Sequence, residues 1–139
     1  MNLSPLIAEL RRDEGVVEHA YQDSLGYWTI GVGHLIDKRK GGRISDVVID
    51  MLLKLDIDEK IAELNEKLPW WGFLDEPSQR VLVNMAFNLG VGGLLKFEKF
   101  MDALKDGDRD RAALEMLSST WAKQVGARAT RLASVIRGA

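Results

Sequence analysis

Two carboxyl groups and a hydroxyl group stand at short spacings near the start of the chain. Glu14 follows Asp13 and precedes Gly15, Asp23 comes nine residues after Glu14, and Thr29 comes six residues after Asp23. Cleavage of a glycosidic bond needs one carboxyl that donates a proton to the leaving oxygen and a second that is ionised. A threonine hydroxyl can hold a water molecule beside the second carboxylate. These residues therefore indicate glycoside chemistry, with Glu14 as the acid.

A first helix is predicted to carry Glu14. Ser4 is the expected N-cap, with Pro5 at the first helical position, and Gly15 is the expected stop. Apolar residues follow at helical spacing, namely Leu3, Leu6, Ile7 and Leu10. Glu14 continues this stripe, so we expect it on the buried face of the helix. Burial there would favour the protonated carboxyl that an acid needs.

A short hairpin or small sheet is predicted to carry the other two groups. Ser24–Gly26 reads as a turn, and Tyr27–Val32 is rich in aromatic and β-branched residues. Asp23 would lie at the polar edge of this turn and remain ionised. Thr29 would lie on the strand that follows, within reach of a water beside Asp23.

The rest of the chain is helical by its apolar periodicity. A long helix is expected from Ser45, as N-cap, to Pro69. Shorter helices are expected over 75–89 with Gly90 as the stop, over 95–104, over 108–117 and over 127–136. The expected fold class is α+β and mostly α-helical.

Several fixed spacings in this chain match one known family. The pattern comprises Arg11-x-Asp13-Glu14-Gly15, Asp23, and Thr29-Ile-Gly-Val-Gly-His34, followed by Asn84-Met-Ala-Phe-Asn-Leu-Gly90, Trp121 and Arg128-Ala-Thr-Arg131. This pattern resembles the phage-type lysozymes (glycoside hydrolase family 24). The resemblance covers most of the chain. It implies a lysozyme-like bilobal fold with a small N-terminal sheet lobe, a long connecting helix, a helical C-terminal lobe and an active-site cleft between the lobes.

The resemblance also implies a domain organisation. We expect one lysozyme domain over residues 1–139. Its N-terminal lobe would span about 12–50 and its connecting helix about 45–68. The C-terminal lobe would span about 69–139 and would also include the first helix.

The activity implied by the resemblance is hydrolysis of the β-1,4 bond between N-acetylmuramic acid and N-acetylglucosamine in peptidoglycan, with inversion. Glu14 would be the general acid, Asp23 the base or electrostatic stabiliser, and Thr29 the residue that positions water. No metal or organic cofactor is expected. A lytic transglycosylase, an inactive wall-binding module and a purely structural helical protein are the alternatives, and Asp23 and Thr29 together argue against all three.

Further residues are expected to bind substrate or support the site: His34, Asn88, Trp121 and Arg128. His34 is predicted to be structural, paired with an acid such as Asp56. The resemblance places Arg128 near the acid, where it would orient the carboxylate. For Trp121, and for Trp70–Trp71 before Gly72, packing is favoured over sugar stacking.

Composition narrows the partners. The net charge is −2 and cysteine is absent, which argues against a nucleic-acid binder and excludes disulfides and thiolate chemistry. The apolar stretches are too short to span a bilayer, and charged residues interrupt any leader-like segment near the N-terminus. We expect a monomer that is made in the host cytoplasm. It would depend on a holin to reach peptidoglycan glycan strands in the periplasm or cell wall, without inserting into the membrane.

Overall fold

The computed structural model describes residues 1–138. The chain forms two compact units, Met1–Leu52 and Leu53–Ala139. The first unit contains α1 (Leu3–Glu14), β1 (Val17–Gln22), β2 (Trp28–Gly31), β3 (His34–Leu35) and the first part of α2 (Asp46–Lys67). The second contains the rest of α2, a short 3₁₀ helix (Trp71–Phe73), α3 (Glu76–Leu95), α4 (Glu98–Lys105), α5 (Arg109–Leu117), α6 (Thr120–Val125) and α7 (Ala127–Arg137). The predicted fold class, α+β and mostly helical, is confirmed.

The start of α1 differs from the prediction. Asn2, not Ser4, is the N-cap, and its side chain accepts a hydrogen bond from the Ser4 backbone N–H at 3.1 Å. Asparagine and serine are equally good N-caps, so the local sequence offered two starts and the helix takes the earlier one. The helix ends as predicted: Gly15 has φ 78° and its N–H donates to the Arg11 carbonyl at 3.1 Å.

The three strands form one antiparallel sheet in the order β1-β2-β3. Tyr21 pairs with Thr29 across β1 and β2, and the register shifts between Val17 and Tyr21. Thr29 pairs with Leu35 across β2 and β3. Thr29 therefore occupies the central strand, and the turn that joins β1 to β2 contains Asp23.

The predicted helix caps in the helical region are confirmed. The Ser45 hydroxyl accepts from the Val48 N–H at 3.4 Å at the start of α2, which ends two residues before Pro69. Asp75 accepts from the Ser78 N–H at 3.2 Å and begins α3. Asp108 accepts from the Arg111 N–H at 3.1 Å and begins α5. Each cap is a local contact, which is why the sequence reveals it.

Two features of the helical region were not predicted. The backbone leaves the helical conformation at Gly90 (φ 74°, ψ 157°), as expected of a stop, but resumes it at once and continues to Leu95. The six-residue α6 was missed because it is too short to show a periodic pattern. Its N-cap is Ser119, whose hydroxyl accepts from the Ala122 N–H at 3.1 Å.

The hydrophobic core lies in the second unit. Its buried apolar side chains run from Leu64 to Ile136, and the largest fully buried ones include Phe100, Leu82 and Met85. In the first unit, Thr29 is the one buried residue among 1–52. Within residues 1–138, no helix combines the length and the apolar character needed to cross a membrane.

Candidate active site

Glu14 lies at the C-terminal end of α1, against the turn between β2 and β3. A Cβ atom placed on Gly33, in that turn, would be 3.0 Å from Glu14 Oε2 and 3.4 Å from its Cδ. Gly33 also has φ 62°, a conformation that glycine adopts without steric cost. The end of the helix therefore delivers its carboxylate onto the backbone of the sheet, at a position where only a glycine leaves room.

The predicted burial of Glu14 is wrong. Glu14 is exposed, and α1 has no buried residue. The apolar stripe that was expected to cover it remains accessible, with Leu3 at 56% and Ile7 at 53% exposure. Helical spacing shows which residues share a face, but burial depends on what packs against that face.

Asp23 is held by the turn between β1 and β2. Its Oδ1 accepts hydrogen bonds from the backbone N–H groups of Leu25 and Tyr27, both at 2.9 Å. Its own N–H donates to the Tyr27 carbonyl at 2.8 Å. Among residues 1–138, no hydrogen bond engages Oδ2. The turn thus orients the carboxylate through one oxygen and leaves the other available.

Thr29 lies on the central strand with only 5% of its surface exposed. Its hydroxyl donates to the Tyr27 carbonyl at 3.2 Å. Since a hydroxyl has one proton, this bond leaves only the lone pairs of Oγ1 for another partner. Tyr27 thus contacts both groups: its N–H binds Asp23 and its carbonyl binds Thr29.

His34 begins β3 and is exposed, with Ile30 as its partner on β2. It lines a cavity of about 540 Å³ in the first unit, together with Arg39 and Arg43. Its predicted pairing with Asp56 would involve both units and stays a prediction. Among residues 1–138, no group of three or more histidine, aspartate or glutamate side chains is arranged to hold a metal ion.

Arg128 lies in the second unit, near the start of α7, and is bound to α3. Its Nε donates to the Asn84 side-chain oxygen at 2.9 Å, and a terminal nitrogen donates to the Asn84 carbonyl at 3.1 Å. Both residues line a groove of about 440 Å³, whose apolar wall includes Phe87. Two hydrogen bonds to one residue hold the guanidinium plane in a defined orientation.

Asn88 and Trp121 form a structural pair in the second unit. The Trp121 indole N–H donates to the Asn88 side-chain oxygen at 2.8 Å, and Trp121 is 4% exposed. Its ring meets that of Phe97 edge-on, with centroids 6.1 Å apart. The preference for packing over sugar stacking is confirmed for Trp121. It is confirmed for Trp71 as well, which is 7% exposed and donates to Asn65 at 2.7 Å.

Two residues that contribute to these arrangements were not among the predicted site residues. Gly33 belongs to the glycine-rich segment after Thr29, but its contact with Glu14 joins residues far apart in the chain. Asn84 was part of a matched motif without an assigned role, and its bonds to Arg128 appear only in three dimensions. A close backbone approach is the one sequence signal that a glycine in a strand gives.

Comparison with known proteins gives consistent matches. The model of the phage lysozyme family matches residues 11–137. The chain is 31% identical to the pre-baseplate central spike protein of Enterobacteria phage T4, over 91% of this chain and 26% of that protein. It therefore spans about a quarter of the spike protein's length.

Two further relatives are matched over most of their own length. A probable T4-type lysozyme 1 of Dictyostelium discoideum is 29% identical over 91% of this chain and 90% of that protein. An endolysin of Acyrthosiphon pisum secondary endosymbiont phage 1 is 29% identical over 86% of this chain and 80% of that protein.

Proposed function

Because this chain belongs to the phage lysozyme family, and is therefore a lysozyme-type glycoside hydrolase, we propose that it hydrolyses the β-1,4 bond between N-acetylmuramic acid and N-acetylglucosamine in peptidoglycan. One observation carries the proposal. In a single unit, the Glu14 carboxylate lies on the β2–β3 turn, the Asp23 carboxylate is oriented by the β1–β2 turn, and Thr29 lies on the strand between those turns.

Two carboxyl groups with different surroundings suit the two halves of the reaction. Glu14, exposed and close to Gly33, donates its proton to the leaving oxygen of the glycosidic bond. Asp23 accepts a proton from the attacking water through Oδ2, because the turn already occupies Oδ1. The water adds to the anomeric carbon on the face opposite the leaving group, so the configuration inverts.

Thr29 fixes the orientation of that water. Its hydroxyl proton is committed to the Tyr27 carbonyl, so Oγ1 can only accept a hydrogen bond from the water. One water proton then points to Thr29 and the other to Asp23 Oδ2. This arrangement directs a lone pair of the water oxygen away from both residues and towards the sugar.

The biological role we assign is that of an endolysin that lyses the host cell. A relative that is named an endolysin supports it. The enzyme acts as a monomer on glycan strands of the cell wall. It is made in the host cytoplasm and reaches the periplasm or wall after a holin has permeabilised the membrane.

The decisive experiment analyses muropeptides released by the wild type, Glu14→Gln and Glu18→Gln. Loss of a general acid lowers the rate by about 10²- to 10⁴-fold, so Glu14→Gln should fold normally and release almost nothing. Glu18, exposed on β1 without an assigned role, provides a matched loss of charge and should leave activity unchanged. Near-wild-type release by Glu14→Gln would refute the assignment.

The chemistry of the products tests the reaction type. Hydrolysis gives reducing N-acetylmuramic acid ends, which early proton NMR spectra should show as the α-anomer if the reaction inverts. A 1,6-anhydro product would instead identify a lytic transglycosylase. Binding to the wall without release of any product by the wild type would identify an inactive binding module.

A further inference from the structure

The segment Trp70-Trp71-Gly72-Phe73 follows α2, and the proposed reaction gives it no role. Trp71 is in the core, whereas Phe73, two residues later, is 92% exposed. Folding leaves a ring of this size in water at the cost of its hydrophobic burial. We propose that Phe73 and Trp70 form a second glycan-binding pocket, separate from Glu14, Asp23 and Thr29, that holds an N-acetylated sugar strand. The choice of ligand rests on the proposed function.

The exposure of Phe73 does not result from a loose loop. The Trp71 N–H donates to the Leu68 carbonyl at 2.9 Å, and the Phe73 N–H donates to the Trp70 carbonyl at 3.1 Å. The Gln79 side chain donates to the carbonyls of Trp71 and Gly72, at 3.4 and 3.2 Å.

The buried indole of Trp71 is tied to α2 through Asn65. The 3₁₀ helix is thus fixed from both sides and presents Phe73 in one position. Such preorganisation lowers the entropic cost of binding.

A cavity of about 460 Å³ lies between this segment and the α4–α5 connection. Phe73, Trp70 and Leu74 line it on one side, and Leu104, Lys105 and Arg109 on the other. Its volume is within the range of small-ligand pockets, which are mostly apolar with a few polar groups at defined points. Every lining residue belongs to the second unit.

Charged groups at the rim of the cavity are held in place. Lys105 Nζ lies 5.0 Å from the centroid of the Trp70 ring, a cation–π contact. The ion pairs among residues 1–138 do not include Lys105. Asp75 and Arg109 form an ion pair that also lines the cavity. The rim therefore offers a cation without an anionic partner and a carboxylate–guanidinium pair.

These groups match an N-acetylated sugar. The apolar face of a pyranose ring packs on an exposed aromatic ring, as amphipathic partners do with aromatic side chains in general. The acetamido carbonyl can accept from Lys105, and hydroxyl groups can donate to the Asp75 carboxylate. A peptidoglycan strand repeats these groups, so a second pocket raises the effective concentration of the polymer at the enzyme.

The test measures ligand binding by proton–nitrogen NMR with tri-N-acetylchitotriose, a β-1,4 trimer of N-acetylglucosamine that lacks muramic acid. The trimer should shift the Trp70 indole signal and the amide signals of Phe73 and Lys105 in a saturable manner. Phe73→Ala should weaken this binding about five- to ten-fold, the effect of losing one aromatic contact. Leu114→Ala removes an apolar side chain of 60% exposure on α5 and should leave the affinity unchanged.

A second measurement uses purified sacculi and a short soluble muropeptide as alternative substrates. Phe73→Ala should lower the rate at limiting sacculi about three- to ten-fold and leave the rate on the short substrate unchanged. Unshifted Trp70 and Phe73 signals, or equal affinity in Phe73→Ala, would overturn the pocket even if the enzyme cleaves peptidoglycan. Phe73-dependent trimer binding by a chain that cleaves nothing would uphold the pocket and refute the proposed function.

Discussion

Gly33 serves Glu14 in two ways that a side chain would abolish. Its φ of 62° is strained for any residue with a Cβ, and that Cβ would stand 3.0 Å from the Glu14 carboxylate. The first effect costs stability, whereas the second displaces a flexible side chain at little energetic cost. A displaced acid no longer meets the leaving oxygen, so stability and activity should respond differently to substitution here.

Gly33→Ala should therefore lower muropeptide release far more than it lowers stability. Gly31 is the matched control, because it has φ 67° but nothing within 4 Å of an added Cβ. Both alanine variants should lose about 1–2 kcal/mol of unfolding free energy in urea. Only Gly33→Ala should lose about ten-fold or more of its activity. Equal activity in the two variants would show that the Glu14–Gly33 contact does not position the acid.

Asp75 illustrates how one residue secures a whole element. It caps α3 through the Ser78 N–H and pairs with Arg109 on α5. The Ser78 side-chain hydrogen bond, with a further contribution from Arg109, lowers the pKa of Asp75 below its ordinary value of 3.8, against the opposing effect of burial. A lowered pKa means that the folded state binds the proton less tightly than the unfolded state does. The stabilisation is thus complete above pH 3.8 and disappears as the pH falls through the folded-state pKa.

Asp75→Asn should lower stability at pH 7 but not at pH 2. Asparagine caps a helix as well as aspartate does, so the substitution removes mainly the charge. Both partners of the ion pair are substantially exposed, with 44% and 37% of their side chains accessible. The loss should therefore be at most about 1 kcal/mol.

Thermal unfolding between pH 7 and pH 2 measures this difference. Asp102→Asn, an exposed acid outside the ion pairs of residues 1–138, is the control. A stability difference between wild type and Asp75→Asn that persists at pH 2 would mean that the charge is not its cause.

The elements that the sequence predicted best are those set by local contacts. Asp75 and Asp108 cap helices three residues ahead of them, and Gly15 and Gly90 adopt the backbone conformations that glycine permits. The competing caps of α1 show the limit of this reasoning, because Asn2 and Ser4 are chemically equivalent there. The short α6 lies below the length at which an apolar period can be recognised.

Contacts between distant segments could not be predicted in the same way. The spacing of Glu14, Asp23 and Thr29 identified the candidate site, and the turn geometry of Asp23 agreed with its polar surroundings. The exposure of Glu14 and its contact with Gly33 depend on where α1 ends relative to the sheet. Amphipathic spacing predicts a face, and only tertiary packing decides whether that face is covered.

Across the whole molecule, the candidate catalytic groups and the core are in different units. Glu14, Asp23 and Thr29 lie within residues 1–52, where Thr29 alone is buried, whereas the buried apolar side chains all follow Leu64. Regions with few buried apolar contacts open locally at lower free energy than the core does. The chemistry therefore lies in the less stable part of the chain.

Hydrogen exchange should reveal this division directly. Amides of α3 and α4 should exchange only through global unfolding, whereas those of α1 and β1 should exchange through local openings several kcal/mol lower in free energy. Leu82→Ala removes a fully buried side chain and should lower the exchange free energies in α3 by about 2–5 kcal/mol, while leaving α1 unchanged. Leu10→Ala, at a 43% exposed position on α1, should leave α3 unchanged. Equal protection of α1 and α3 in the wild type would contradict this division, because it would mean that residues 1–52 open only when the core unfolds.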